Sequence, residues 1–506
     1  MLRETKTLQG RVRGLPAADP RISVYKGIPF AEPPVGELRF RAPRLPASWE
    51  RVRDCFTFAP ISMQQTPGMN PDAFYSKEWH VDPGVPMDED CLYLNIWTPA
   101  KQADERLPVM VWIFGGGMVC GYTSEMEFDG ERIARRGIVL VTVNYRLNSF
   151  GFLAHPELTA QAAGLDEAAC NFGLLDQRRA IQWVKDNIQF FGGDPRNMTI
   201  FGQSAGGRSV WAQLCSPMNE GLFQRAIVQS GGLTGAMANY RTLQQAEKDG
   251  EAFLAHLGAG SIGEARKLDA AFILQKTLDW KGAPWNPVVD GQFMVRNPFE
   301  SIWLGKQMDV ALMVGNTVDE GPGASCGNLE ELKALARRLW GDDYEKLSPV
   351  FQGQGTPDIR RLKALPAFNM FEVGRRFAAI SWAKHKKQPA YLYRFNPPVP
   401  GDEAGSFHSS ELWFVFETLA KCWRPFVGAH YDLARQMCNY WTNFARTGDP
   451  NGADADGQAM PRWPAAGRDG DRFMLFGEKP AAGEEQVDAL MLLELAKAAV
   501  DVKPDG

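Results

Sequence analysis

Unbroken runs of β-branched and aromatic residues recur along the chain, and stretches of helical periodicity separate them. Val109–Phe114 and Ile138–Val143 are the clearest runs, joined by Leu92–Trp97, Met198–Phe201, Arg225–Val228, Val310–Val314 and Ala390–Phe395. Strands that read this way suit a parallel sheet covered on both faces. Between Leu175 and Phe191, the residues Ile181, Val184, Ile188 and Phe191 repeat at 3-4-3 spacing, which predicts a helix stopped by Gly192-Gly193. A second clear helix is predicted over 428–447. This alternation predicts an α/β fold, a doubly wound and mostly parallel sheet.

Other stretches interrupt the pattern. Residues 1–60 read as short antiparallel strands and turns, with Ile22–Tyr25 a strand and Pro29, Pro33, Pro34 and Gly36 breaking regular structure after it. Residues 61–88 have no period and read as a long surface loop, a form often found at a site rim. The stretches 241–285 and 326–388 read as mainly helical insertions over the sheet's C-terminal edge, where open α/β sheets bind ligands. The segment 448–484 is turn-rich, with a short strand at Arg472–Phe476. No repeat or linker divides the chain, so 1–506 is expected to be a single catalytic domain.

Composition narrows the function. Hydrophobic residues make up 44% of the 506 and charged residues 23%, an ordinary globular balance. A net charge of −5 argues against nucleic acid as the main partner. No apolar stretch is long enough to span a membrane, and no secretory h-region opens the chain. The run Lys384–Lys387 reads as a solvated helix end. The 8 cysteines, at 55, 91, 120, 170, 215, 326, 422 and 438, have no metal-like spacing and read as mostly buried thiols of a reducing compartment, which suits a cytoplasmic protein. Neither a metal nor a cofactor is expected.

The candidate chemistry centres on Gly202-Gln203-Ser204-Ala205-Gly206, a G-x-S-x-G pentapeptide between a β-favouring segment and a helical one. A bare pentapeptide recurs by chance; the strand–turn–helix context is what a nucleophile elbow requires. A serine needs a base, and the base needs an acid to orient it. Of six histidines, His80 and His155 precede the serine. His256 and His385 fall in helical patterns and His430 at a helix start, so His408, in the loop Gly401–Ser410, is the candidate base. For the acid, Asp319 and Glu320 both follow the strand Val310–Val314, and Asp290 is a third candidate in a turn-like Asp-Gly pair. Gly115-Gly116-Gly117, after a buried strand, suits an oxyanion loop; no Lys-Ser/Thr follows, so it is not a P-loop.

The chain resembles the type-B carboxylesterases, the α/β-hydrolase family of bacterial p-nitrobenzyl esterases, mammalian carboxylesterases and cholinesterases. The likeness rests on Phe191–Gly193 through the Ser204 pentapeptide, on Glu89-Asp90-Cys91-Leu92-Tyr93-Leu94-Asn95-Ile96-Trp97-Thr98-Pro99, and on Gly27–Gly36, Asn144-Tyr145-Arg146, Phe172–Gln177, Asn443-Phe444-Ala445 and Gly448-Asp449-Pro450. It implies a catalytic triad of Ser204, Glu320 and His408, with an oxyanion hole of the Gly116, Gly117 and Ala205 N–H groups. It implies hydrolysis of a small-molecule ester, short-acyl or aryl, through an acyl-enzyme, by a monomer or homodimer. It also implies structural ion pairs Arg39–Glu89 and Arg146–Asp176. Three departures stand out. Ser62 replaces a disulfide cysteine, which leaves Cys91 without that partner and the loop 61–88 unclamped. Phe114 precedes the glycines in place of His or Tyr, and Gln203 stands where many relatives carry Glu. Trp79 lies near the cholinesterases' cation-binding tryptophan, but the loop length differs and choline is not expected. Of the aromatic band Trp413, Phe414, Phe416, Trp423 and Phe426, one or two rings are expected at the pocket. Rival readings are an amidase, carbamate or lyso-lipid hydrolase on the same machinery, and a non-catalytic adhesion protein, against which the complete triad speaks.

Overall fold

In the computed structural model, the described residues are 1–506 without 80, 164, 166, 167, 352–358, 364, 366, 456, 487–490, 493 and 496–506. His80 therefore lies outside them. The apolar runs pair into an 11-stranded sheet. Its strands are β1 (Leu15–Pro16), β2 (Ser23–Pro29), β3 (Tyr93–Thr98), β4 (Leu107–Ile113), β5 (Val139–Val143), β6 (Gly193–Gln203), β7 (Arg225–Gln229), β8 (Ala311–Thr317), β9 (Ala390–Phe395), β10 (Arg472–Phe476) and β11 (Pro480–Glu484). Their order is β11-β10-β9-β8-β7-β6-β4-β5-β3-β2-β1. From β10 to β5 every pairing is parallel, and the flanking strands pair antiparallel.

The central strands β4 and β5 are almost wholly buried, and the helices Ala205–Cys215, Met370–His385 and Gly428–Thr447 pack against the sheet. Covering both faces removes water from the ladder, which is why these strands tolerate no polar alternation. Strand β6 is longer than its apolar core Met198–Phe201. The turn-like Gly193-Asp194-Pro195-Arg196-Asn197 joins it because β4 offers a partner, Leu107 opposite Gly193. The helix predicted to start at Leu175 starts at Phe172, and its last turn tightens into a 3-10 segment before Gly192, in the left-handed region at φ 82°.

The loop 61–88 departs most from expectation. It carries a short helix, Phe74–Trp79, and its foot is buried at Ser62, Met63 and Gln64. Cys91 forms no disulfide, yet Ser62 hydrogen-bonds to it. The foot is held without covalent bonds: Asp88 N–H donates to the Ile61 carbonyl (3.0 Å), and the Asn148 amide donates to the Met63 carbonyl (2.6 Å). Both implied ion pairs form in the interior, with Arg146 Nη2 2.7 Å from Asp176 and Arg39 Nε 2.6 Å from Glu89.

The helical stretch 326–388 divides in two. Leu332, Leu335, Trp340, Leu347 and Phe368 form a separate apolar cluster, whereas Phe377 and Trp382 of the helix Met370–His385 join the main core. Within 241–285 lie the helices Leu243–Leu257, Ile262–Ala265 and Ala270–Asp279. Among the described residues, no helix is long and apolar enough to cross a membrane.

Candidate active site

Strand β6 ends at Gln203 and the helix Ala205–Cys215 begins two residues later, so Ser204 alone makes the turn. It does so at φ 56°, ψ −122°, a backbone strain of about 1–3 kcal/mol that the surrounding sheet must hold. Its N–H donates to the Gln229 carbonyl on β7 (2.9 Å). The helix crosses so close to β4 that a Cβ on Gly206 would lie 2.0 Å from the Ile113 carbonyl oxygen. Only glycine fits there, and the Ser204 side chain is thereby held at the C-terminal edge of the sheet.

Beyond β8 the chain reverses and buries Glu320, which is 2% exposed. One carboxylate oxygen accepts from Thr317 N–H and the Ser230 hydroxyl, both at 2.9 Å, and the other contacts Nδ1 of His408. The other two acid candidates do different work. Asp319 accepts from Ser406 N–H (2.8 Å) and ties the histidine loop to the end of β8. Asp290 accepts from the N–H groups of Gln292 and Met294 and from the Asn171 amide, so it serves its own turn.

His385 ends the helix Met370–His385, and, His408 aside, the other three described histidines are engaged elsewhere. His155 caps a helix, His256 sits 3.1 Å from the Lys276 carbonyl, and His430 accepts from Val427 N–H. The His408 ring is stacked on Phe371 and its carbonyl accepts from the Tyr75 hydroxyl (3.1 Å). Its Nε2 faces the Gln203 carboxamide nitrogen at 3.3 Å, and Ser204 forms no hydrogen bond with the ring among the described residues. Burial opposes the charged ring, but the Glu320 carboxylate, and after it Glu411, outweigh that cost and raise the His408 pKa. Glu411 is itself fully buried; burial and the neighbouring Glu320 push its pKa up to about 7.

The glycine loop lies across from the elbow. Gly116 adopts φ 100°, where a Cβ would come 2.1 Å from the Cys120 carbonyl oxygen. Its own carbonyl accepts from Val119 and Cys120 N–H. The N–H groups of Gly116, Gly117 and Ala205 carry no hydrogen bond to another described residue. Phe114 is stacked on Tyr145, whose hydroxyl donates to the Phe114 carbonyl (2.8 Å), so this departure supports the base of the loop.

One cavity of about 550 Å³ is lined by Gly116, Gly117, Gln203, Ser204 and His408 together. Trp79 joins them, brought in by the helix inside the 61–88 loop. The aromatic band does not: none of Trp413, Phe414, Phe416, Trp423 and Phe426 lines the cavity, and the first three are fully buried core. Tyr75, Tyr122, Glu125, Glu127 and Phe128 do line it. Sequence reasoning passed over these five. The pair Glu125-x-Glu127 just after the glycine loop was the available signal. A second cavity, of about 1020 Å³, opens on the far side of Tyr75 and His408. Among the described residues, no group of three or more His, Cys, Asp or Glu side chains could hold a metal ion.

Known proteins resemble this chain over nearly its whole length. The chain is 31% identical over 494 residues to the fumonisin B1 esterase of Sphingopyxis macrogoltabida, which spans 94% of this chain and 87% of that protein. It is 33% identical over 468 residues to the para-nitrobenzyl esterase of Bacillus subtilis, across 88% and 90% of the two chains. The crystal structure of a Geobacillus stearothermophilus carboxylesterase superposes with a TM-score of 0.78 at 32% identity, over 98% of this chain and 100% of the other. The family model described as the carboxylesterase family matches residues 2–348 and 358–491, and with these relatives it shows that the chain belongs to the carboxylesterase family.

Proposed function

We propose that the chain hydrolyses carboxylic esters through a triad of Ser204, His408 and Glu320. The observation that carries this reading is the buried Glu320–His408 contact at the mouth of a cavity that the Ser204 elbow also lines. Glu320 accepts a hydrogen bond from Nδ1–H, which leaves the Nε2 lone pair free to take a proton. For this step the ring has to exchange its Gln203 neighbour for the Ser204 hydroxyl.

Ser204 Oγ then attacks the acyl carbon as His408 removes its proton. The N–H groups of Gly116, Gly117 and Ala205 stabilise the oxyanion, each donor being worth roughly 3–4 kcal/mol in such sites. His408 protonates the departing alcohol. Water, deprotonated by the same ring, releases the acid and restores Ser204. Every step uses side chains and backbone of this chain.

The aromatic, largely apolar cavity supports short-acyl or aryl esters. Eight free cysteines suit a cytoplasmic setting. Amide, carbamate and lyso-lipid hydrolysis would use the same groups, but no observation favours them.

Turnover of p-nitrophenyl acetate and octanoate by wild type and Ser204→Ala tests the reading. Wild type is expected to release nitrophenolate, and Ser204→Ala to lose about 10⁴-fold or more in kcat with its melting temperature kept. A Ser204→Ala enzyme with most of its activity would overturn the assignment.

A further inference from the structure

Two carboxyls on the wall of the Ser204 cavity take no part in the proposed triad. Glu125 and Glu127 stand two residues apart, just past the oxyanion loop, and both line the cavity. Glu125 accepts from Tyr122 N–H at 2.8 Å. Glu127 is 1% exposed, and its Oε2 has no hydrogen-bond partner. The two carboxyls stand close enough to interact, and a hydrogen bond between them would need one to keep a proton. Burial, the first cause, and for Glu127 the neighbouring Glu125, hold both pKa values above the ordinary carboxylate range. No lysine or arginine stands among the groups that act on either carboxyl.

Such an arrangement is costly. A buried polar atom without a partner destabilises the fold by about 1–3 kcal/mol, and a buried charge without a counter-ion by more. Two other buried acids at this edge have partners: Glu78 is held by Arg424, and Glu320 by Ser230, Thr317 N–H and His408. The pair facing the cavity lacks a cation among the described residues. A metal does not fit, since no third ligand stands beside the two carboxyls among those residues. An N–H donor does. It would satisfy the orphaned Oε2, take the place of such a proton and neutralise the charge left behind. The rings of Trp79, Tyr75, Tyr122 and Phe128 line the same cavity, and Tyr75 and Trp79 are stacked nearly parallel at 7°. Aromatic faces add attraction for a cation within reach.

We propose that Glu125 and Glu127 form a subsite for a primary ammonium group, so that the cavity selects esters carrying a protonated amine. The proposal rests on the ester-hydrolase reading for its substrate class, but the subsite itself is a matter of binding. A quaternary ammonium, lacking N–H, would not satisfy the open carboxyl oxygen and should bind less well than a primary one of similar size.

Calorimetric titration of the whole protein with benzylammonium and with benzyl alcohol at pH 8 decides it. Wild type should bind the ammonium at least tenfold more tightly than the alcohol. Glu127→Gln and Glu125→Gln, which keep the shape of each side chain, should each reduce that ratio, and the double variant should bring it within threefold. A wild-type ratio within threefold overturns the proposal without recourse to any variant, as does a double variant that folds and keeps the full preference. A parallel assay compares 4-(aminomethyl)benzyl acetate with its neutral isostere 4-ethylbenzyl acetate. Preference for the aminomethyl ester, lost in the double variant, extends the subsite to catalysis. Failure to hydrolyse either ester with the binding preference intact would overturn the hydrolase reading and leave the subsite standing.

Discussion

Nε2 of His408 lies 3.3 Å from the carboxamide nitrogen of Gln203, so the residue beside the serine, and not the serine, occupies the ring in this structure. Nδ1 is already committed to Glu320. In the proposed triad, the lone pair that would receive the Ser204 proton therefore faces an amide N–H donor, which as placed does not stabilise the charged ring.

A carboxylate at that position would do so. Glu in place of Gln203 is expected to raise the His408 pKa by about one unit, a differential interaction of about 1.4 kcal/mol. The reaction needs the neutral ring, so the acidic limb of kcat/KM must move to higher pH. The pH–rate profile of Gln203→Glu on p-nitrophenyl acetate measures this, and an unmoved limb would count against the contact.

Glu411 acts on the same ring from behind. When ionised, it helps to raise the His408 pKa. Glu411→Gln is expected to shift the acidic limb the opposite way, to lower pH. The folded-state pKa of Glu411 is about 7, above the unfolded value, so its contribution to stability is present at acid pH and is lost as pH rises through 7. Relative to wild type, Glu411→Gln should therefore gain in melting temperature between pH 5 and pH 8. A constant difference across that range would contradict the assignment.

Stability at low pH should depend on Glu372. It is buried, and although burial opposes its charge, Arg375 and Arg394 more than offset that and hold its pKa well below the carboxylate range. A depressed pKa gives stability that is present above the unfolded value and lost as pH falls below about 4.5. Glu372→Gln leaves two guanidiniums short of a partner and should cost about 3 kcal/mol at neutral pH. It should also show a shallower loss of stability between pH 4.5 and 3, read by urea denaturation at each pH.

The contact of Ser62 with Cys91 makes the foot of the 61–88 loop a site for a crosslink. Ser62→Cys is expected to oxidise with Cys91 and to stabilise the fold by about 3 kcal/mol, in line with loop closure of this length. Mass spectrometry would report the bond, and a rise in melting temperature reversed by dithiothreitol would report its effect. A free thiol at both positions under oxidising conditions would place the side chains too far apart.

What the chain alone determined is what depends on local chemistry. The buried strands announce themselves because β4 and β5, covered on both faces, admit no polar alternation. The elbow is legible because strand, serine and helix are contiguous and Gly206 can be nothing else where the helix meets Ile113. Chain order singled out His408 and the glycine loop, but Asp319 and Glu320 could not be told apart by position. Only the fold decides that Asp319 binds Ser406 N–H while Glu320 turns to the ring. Tertiary packing also sent Trp413, Phe414 and Phe416 into the core and brought Trp79, Tyr75, Glu125 and Glu127 to the cavity. These outcomes join segments far apart in sequence, and aromatic or acidic residues carry no local mark of the side they will face. Spacing along a chain records secondary structure; which side chains share a cavity is set by how the loops close over the sheet.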